Sequence, residues 1–490
     1  MPLRRRMKPR REHALIDKVL QKLEQDESQA IERLCEWLRI ASISADPEYK
    51  SQCQEAAQWA ADRLEEAGLN SRVLPTGTKE EPGHPCVLAK TPNADSGSGP
   101  HVLFYGHYDV QPPDPLDLWE TGPFDPIVKK ADAKTPADHV VARGASDDKG
   151  QVAMFLEALR AWKEESGNAA GGLRITVLLE GEEESGSENL EKFLKDYEAE
   201  LKSCDFCLIS DTGMISRTRP AITYGVRGLA YTQIRLHGPD KDVHSGFWGG
   251  RMPNPLNELS KVLAQIWDEN RHVTIDGFYD AVIEATNEER AGWKALDIDV
   301  PTMLGNIGLS PEADIGEAGF TSIEREWARP TAEINGMWGG YTGAGAKTVI
   351  PAYATAKVSF RLVADQDPDD IVKKFFAWLE ARTPPGCRWE LQDMHGGHPS
   401  SVDPTSKWLA TARQAMEQST GMEVALIKTG GSIPVAGMLK DSLGLDTVFM
   451  GFGLDDDRVH SPNEKFELPC FRMGARSHAV LIDLLRGGGA

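Results

Sequence analysis

Two histidines and a series of carboxylates stand where short apolar stretches end. In HVLFYGHYDV an apolar run closes at Gly106, and His107 and Asp109 follow with one residue between them. VVARGASDDKG carries Asp147 and Asp148, and EGEEESGS sets Glu182, Glu183 and Glu184 directly after the apolar LRITVLL. FCLISD ends on Asp211, and far downstream TVFMGFGLDDDRVHSPNE brings His460. Carboxylates gathered within a few ångströms repel unless protons or cations neutralise them. Two imidazoles among them suit Zn²⁺ or a similar borderline cation better than Ca²⁺, which takes oxygen donors alone. A pair of such ions about 3.5–4 Å apart, sharing a carboxylate and a water, is a hydrolytic arrangement. In this reading His107 binds metal through one ring nitrogen. Asp109 leaves the same face of an extended segment and accepts from the other nitrogen. One glutamate of the triplet ligates, and its neighbour serves as general base. Each piece also has a plainer reading: a hydrogen-bonded turn for His-x-Asp, a helix N-cap for the Asp pair, a solvated helix start for the glutamates. Only the combination points to a metal centre.

Convergence requires elements that carry these segments to one edge. Residues 12–68 read as helical, with Ala56, Ala60, Leu64 and Ala67 in one stripe and Gly68 at the stop. From about residue 86 to 212, strands at 102–105, 173–179 and 206–210 alternate with the helices KGQVAMFLEALRAWKEE and ENLEKFLKDYEAEL. The first helix puts Val152, Phe155, Leu156, Leu159 and Trp162 on one face. This alternation predicts an α/β sheet covered on both faces, with ligand chemistry beyond the carboxyl ends of its strands. Beyond Arg217 the order becomes β-α-β-β-α-β, leaving 271–330 irregular, with Asn254 as N-cap and Pro255 at the first helical position. A second domain inserted at 218–396 is expected, with HGGHPSSVDP as the return linker. The flanking parts, 1–217 and 397–490, would form one catalytic, metal-binding domain.

Composition narrows the class. The 490 residues carry 54 basic and 75 acidic side chains, a net charge of −21 that disfavours nucleic acid and anionic membranes as partners. No apolar run reaches the length of a membrane span. MPLRRRMKPRR is basic, but no apolar segment follows it, so a solvated, disordered tail is expected rather than a secretory signal. Seven scattered cysteines fit a reducing, cytoplasmic setting. Cys204-Asp-Phe-Cys207 has the spacing of half a zinc ribbon but no second half, so two half-buried structural thiols are expected.

In combination and in this order, GHYDVQP, ARGASDDKG, EGEEESGS, ISD, DVHSG, GAGAKTVIP, GGSIPV and HSPNE resemble the M20 family of metallopeptidases. The likeness spans about residues 30–485 and is strongest to the nonspecific dipeptidase and carnosinase branch and its bacterial relatives. It implies a zinc-exopeptidase-type mixed sheet with helices on both faces, plus an inserted ferredoxin-like lid and dimerisation domain. It also implies two divalent ions per subunit, Zn²⁺ foremost with Mn²⁺ or Co²⁺ as alternatives, and a homodimer acting on small peptides. Carried over by position, His107, Glu184, Asp211 and His460 are metal ligands and Asp147 bridges the two ions. Asp109 orients His107, and Glu183 is the general base toward a metal-activated water. His244 stabilises the oxyanion, in relatives from across the dimer. Thr348, Arg361 and Ser432 hold the substrate. Two departures stand out: Lys428-Thr429 where relatives carry Arg-Glu, and a third acid, Glu182, expected at the surface without a role.

Residue patterns alone leave Arg361 as a solvated sheet residue beside Lys357 and Ser359, and His244 as a hydrogen-bonded loop histidine. Rival functions are an N-acyl amino acid amidohydrolase, carboxypeptidase or desuccinylase of the same superfamily, a two-metal phosphohydrolase, and a noncatalytic metal-bound scaffold. GGYTGAGAKT lacks the G-x-x-x-x-G-K-[ST] phosphate cradle, and the full ligand set argues against a scaffold.

Overall fold

The computed structural model describes residues 13–133 and 135–487, so the basic stretch 1–11 lies outside the described residues. The chain divides by packing into two units. Unit 1 runs to Tyr224 and resumes over Val402–Leu426 and from Leu439; unit 2 comprises Gly225–Ser401 and Ile427–Met438. The sequence put the crossings at 217/218 and 396/397 and left 427–438 with the flanking parts. The first crossing falls inside strand Ala221–Val226. Its Thr223 pairs with Phe449, while Gly225 and Val226 pair with Ser401 and Ser400.

Unit 1 is a mixed α/β sheet. Its strands run in the order Asn70–Leu74, Cys86–Lys90, Arg174–Glu180, His101–His107, Phe206–Ile209, Thr447–Phe449, Ala221–Val226. The four middle strands are mutually parallel, and the outer pairings are antiparallel. His107 pairs with Glu180, Tyr105 with Ile209, and Phe449 with Ile209, so the carboxyl ends of the parallel strands finish nearly level. That is the edge at which parallel α/β sheets collect ligand chemistry. Helix Lys149–Ser166 packs behind the His101 strand, with Phe155 stacked on Phe104 at 3.8 Å. It is buried nearly all round rather than on one face, since Leu468–Arg486 and His13–Gln25 also pack on it. Gly106 permits the approach: a Cβ there would stand 2.5 Å from Val152 Cγ2.

Unit 2 holds a four-stranded antiparallel sheet ordered Thr331–Gly339, Tyr353–Leu362, Gly228–His237, Arg388–Gly397. Alternate residues of Gly228–His237 are buried, as a one-faced sheet requires. Helices Pro255–Leu263 and Pro368–Glu380, capped by Asn254 and Asp367, enclose a core with Phe278, Phe360 and Phe375. The segment read as irregular contains helices Asn287–Ala295, Val300–Asn306 and Ser322–Trp327. The expected linker begins inside a strand, since Arg388–Gly397 continues through the two glycines of HGGH. No helix among the described residues is long and apolar enough to cross a membrane.

Candidate metal centre

His107, Asp147, Glu184, Asp211 and His460 come together at the level edge of unit 1: the first four lie just beyond an apolar strand or before the buried helix, and His460 sits in a turn farther along the chain after strand Thr447–Phe449. Asp147 stands between the two imidazoles: its Oδ1 is 3.1 Å from His107 Nε2 and its Oδ2 is 2.9 Å from His460 Nε2. Asp211 Oδ2 lies 3.8 Å from His107 Nε2, and Glu184 Oε2 lies 3.2 Å from His460 Nε2. Two groups of donor atoms result, His107–Asp147–Asp211 and Asp147–Glu184–His460, each with its atoms within 4.8 Å of one another. Asp147 is common to both. Asp148, at the N-cap position, makes no side-chain cap; its Oδ2 accepts the backbone N–H of His107 instead. The capping reading of the Asp pair therefore fails.

Asp109 contacts His107, by a different atom than expected. His107 Nδ1 donates to the Asp109 backbone carbonyl at 3.1 Å, and Asp109 Oδ1 lies 3.3 Å from the same nitrogen without completing a hydrogen bond. Asp109 Oδ2 accepts the backbone N–H of Glu184, tying the two motifs together. Glu184 also receives the Gln111 side-chain amide at 2.8 Å.

The charges are poorly balanced without cations. Burial pushes the Asp211 carboxyl up to about 7, and the Asp147 charge adds to this. Burial and the Asp211 charge hold Asp148 well above the usual carboxylate range. Burial alone would raise Asp147, but the His107 and His460 contacts outweigh it and hold it below its ordinary value. The same contacts with Asp147 and Glu184 lift His460 to about 10. Burial takes Glu183 up to about 8 against the pull of His107. Among the described residues its carboxylate accepts no hydrogen bond. A shared carboxylate between two imidazoles, an orphaned buried Asp109 oxygen and acids pushed toward protonation together fit a pair of divalent cations.

The remaining candidates lie in unit 2 and fall into two pairs. Arg361 Nη1 donates to Ser432 Oγ at 2.7 Å. Thr348 accepts the Ser245 backbone N–H through its carbonyl, beside His244, whose Nδ1 accepts the Gly246 N–H. His244 pairs with Val349 across a two-residue ladder. Arg361 is half-buried and hydrogen-bonded rather than simply solvated. Lys428 is held by Glu289 at 3.0 Å and lies over Trp293.

Glu182, Glu464, Cys204 and Cys207 were misjudged or missed from sequence. Glu182 is buried, not at the surface, because its carboxylate accepts from the His84 N–H and the Asn189 amide. Glu464, the last residue of HSPNE, is fully buried and accepts from Arg143, Gly144 N, Ser146 N and Asp147 N. It thereby fixes the backbone that carries Asp147. An acid closing a histidine motif was the available signal. Cys204 and Cys207 are buried fully rather than by half, and burial takes the Cys204 thiol up to about 12.

The family model described as peptidase family M20/M25/M40 matches residues 103–484. The chain belongs to this family. It is therefore a peptide-bond hydrolase, and the family together with the donor groups implies divalent metal ions. The M20 chain is 29% identical over 476 residues to Cys-Gly metallodipeptidase DUG1 of Saccharomyces cerevisiae, covering 95% of this chain and 97% of that protein. It is 31% identical over 464 residues to Beta-Ala-His dipeptidase of Homo sapiens, with 92% and 89% covered. Among solved structures, the M20 family metallo-carboxypeptidase Sso-CP2 from Sulfolobus solfataricus superposes with a TM-score of 0.77 at 29% identity. That match covers 93% of this chain and 99% of that one.

Proposed function

We propose that the protein is a dinuclear-metal dipeptidase of the cytoplasm that cleaves the peptide bond of dipeptides or short peptides. The observation that carries this is Asp147, whose two oxygens face different histidines, each with a further carboxylate beside it. His107 and Asp211 would hold one ion, Glu184 and His460 the other, and Asp147 both, with Zn²⁺ foremost and Mn²⁺ or Co²⁺ suiting the same donors. When bound, the ions supply Lewis acidity for a water and for the scissile carbonyl. Glu183 takes the water's proton and returns it to the leaving amine. Asp109 fixes the tautomer of His107, so that Nε2 points toward Asp147. Arg361 and Ser432 receive the substrate carboxylate, Thr348 helps to hold the substrate, and His244 donates to the oxyanion.

Unit 2 is proposed as a ferredoxin-like lid and dimerisation domain. Its β-α-β-β-α-β order and the strand sequence of its sheet support that reading. A homodimer in which His244 serves the partner's site is supported by the spacing of the two pairs. Tyr353 and Arg361 stand eight residues apart on one strand, about 26 Å at about 3.3 Å per residue. His244 and Thr348 adjoin the Tyr353 end, so one copy of unit 2 presents them far from Arg361 and Ser432.

The likeness to Sso-CP2 favours a second reading, a carboxypeptidase, with the same chemistry on longer chains. The deciding experiment is a hydrolysis panel of Xaa-Gly and Xaa-Ala dipeptides, longer peptides, and N-acetyl and N-succinyl amino acids, with Zn²⁺, Mn²⁺ or Co²⁺ added. Preferential dipeptide cleavage is expected. Cleavage of N-acyl amino acids alone, or of none of the panel, rejects the proposal.

A further inference from the structure

Unit 2 contains a second guanidinium beside Arg361 that the sequence motifs did not single out. Arg227 precedes strand Gly228–His237 directly, and Arg361 pairs with Leu229 across that strand. Arg227 and Leu229 are two residues apart, so Arg227 is the diagonal neighbour of Arg361, within reach of long side chains. Arg227 is anchored rather than loose. Its backbone N–H donates to Gly431 O at 3.0 Å, and its Nε donates to Gly430 O at 3.1 Å. Those glycines directly precede Ser432, whose hydroxyl accepts from Arg361 at 2.7 Å. The Gly430–Ser432 turn is thus gripped by both arginines.

Neither guanidinium forms a close ion pair, although the charges of Glu326 and Glu333 both reach Arg227. Among the described residues no carboxylate lies within ion-pair distance of Arg227 or Arg361, and the terminal nitrogens of Arg227 have no acceptor. Glu326 is near, but it is spent on the turn: its Oε1 accepts the Gly430 N–H at 3.2 Å. Arg329 in the same unit shows the ordinary arrangement, with Glu317 and Glu284 both paired to it. Burial lowers Arg227 to about 10 against the opposing pull of Glu326 and Glu333, with Arg361 adding to the shift, and burial lowers Arg361 as well. Two adjacent, part-buried cations are unfavourable in a chain with net charge −21 unless an anion arrives. Their planar donors match a carboxylate.

We propose that Arg227 is a second carboxylate-binding residue of the substrate, acting beside Arg361 and Ser432 and determining preference for peptides with a free C-terminus. This rests on the dipeptidase reading above. Gly430 belongs to the same device, since a Cβ there would stand 2.6 Å from Arg227 Nη2.

The test compares metal-loaded wild type with Arg227→Met and Arg227→Lys on Ala-Gly and on its C-terminal amide. Each compound is also measured as a competitive inhibitor, so that an uncleaved amide still reports affinity. For Arg227→Met we expect kcat/KM on the acid to fall by about 10–100-fold, mainly through KM, as for a lost hydrogen bond to a charged group. The amide should change by less than about threefold, erasing preference for the acid. Arg227→Lys keeps the charge but not the fork and should lose about tenfold, again on the acid alone. Equal losses on acid and amide, or an unchanged acid-to-amide ratio in the lysine variant, overturn the proposal. If the methionine variant does not fold, the lysine variant decides. A wild-type enzyme that binds and cleaves neither compound is a different result, a failure of the dipeptidase reading itself.

Discussion

The two units handle charge in opposite ways. Unit 1 buries His107 and Asp147 among acids, with Glu184 and Asp211 half-buried and His460 exposed at the rim, and most of these donors are braced by further hydrogen bonds. Glu464 fixes the Asp147 backbone, Asp109 holds His107 and Glu184, and Gln111 braces Glu184. Unit 2 keeps its candidate groups on half-buried or exposed positions with a single hydrogen bond or two each. Arg361 touches Ser432, Arg227 touches a glycine turn, and His244 touches Gly246. The difference fits a division of labour in which rigid, pre-assembled donors face ions and lightly held groups face a substrate that comes and goes.

Substitutions can break that contrast. The largest effect is expected for Asp147→Asn, which alters the carboxylate common to both donor groups. Activity should fall on the order of 10⁴-fold, and bound metal should drop below about two ions per chain. Metal content unchanged by elemental analysis would refute the bridging assignment. Glu183→Gln should lower kcat by about 10²–10⁴-fold while bound metal stays at the wild-type level, because a base is lost but no ligand. Arg361→Met should act through KM, about 10–100-fold, with kcat and metal content little changed. A variant that instead lost metal would show that the contrast between the units is false.

pH sharpens the comparison from the side of unit 1. Asp211 is raised to about 7 and Glu183 to about 8, above ordinary values of 3.8 and 4.5. For such raised groups the stability contribution is complete below the ordinary value and lost as pH climbs through the raised one. The metal-free protein should therefore weaken between about pH 4 and 8. His460, raised from 6.5 to about 10, keeps most of its contribution until still higher pH. Added Zn²⁺ or Mn²⁺ relieves the carboxylate repulsion, so the rise in Tm it causes should grow from pH 5 to pH 8. Scanning calorimetry with and without metal checks this; a shift independent of pH would count against it. The smallest effect is expected at Lys428. Its partners are Glu289 and Trp293, so Lys428→Ala should cost about 1 kcal/mol of stability and leave KM alone. A tenfold rise in KM would make it a substrate residue after all.

Much of the candidate site was legible because His107, Glu184 and Asp211 sit just past strand ends, and strand ends can be read. An apolar run of four to seven residues closing on His107, on the Glu182–Glu184 triplet or on Asp211 marks the carboxyl edge of a parallel sheet. Glu182 was misread because a run of acids cannot show which one turns inward; His84, distant in the chain, and the nearby Asn189 decide that. Glu464 escaped notice because its partners are backbone N–H groups more than three hundred residues away, which leave no pattern. Arg227 did so because an unpaired cation looks identical in sequence to a paired one. The helix Lys149–Ser166 was placed almost to the residue, yet its burial on all sides depends on two terminal helices at opposite ends of the chain.

The sequence by itself determined the donor types, their order along the chain and the family, since local periodicity and residue chemistry are written in neighbouring positions. Only the tertiary structure decided that Asp147 faces His107 with one oxygen and His460 with the other, and that Arg227 and Arg361 share a turn without a close ion pair. Those facts depend on strand order and register, which arise from packing between residues hundreds of positions apart and are not encoded in any local stretch.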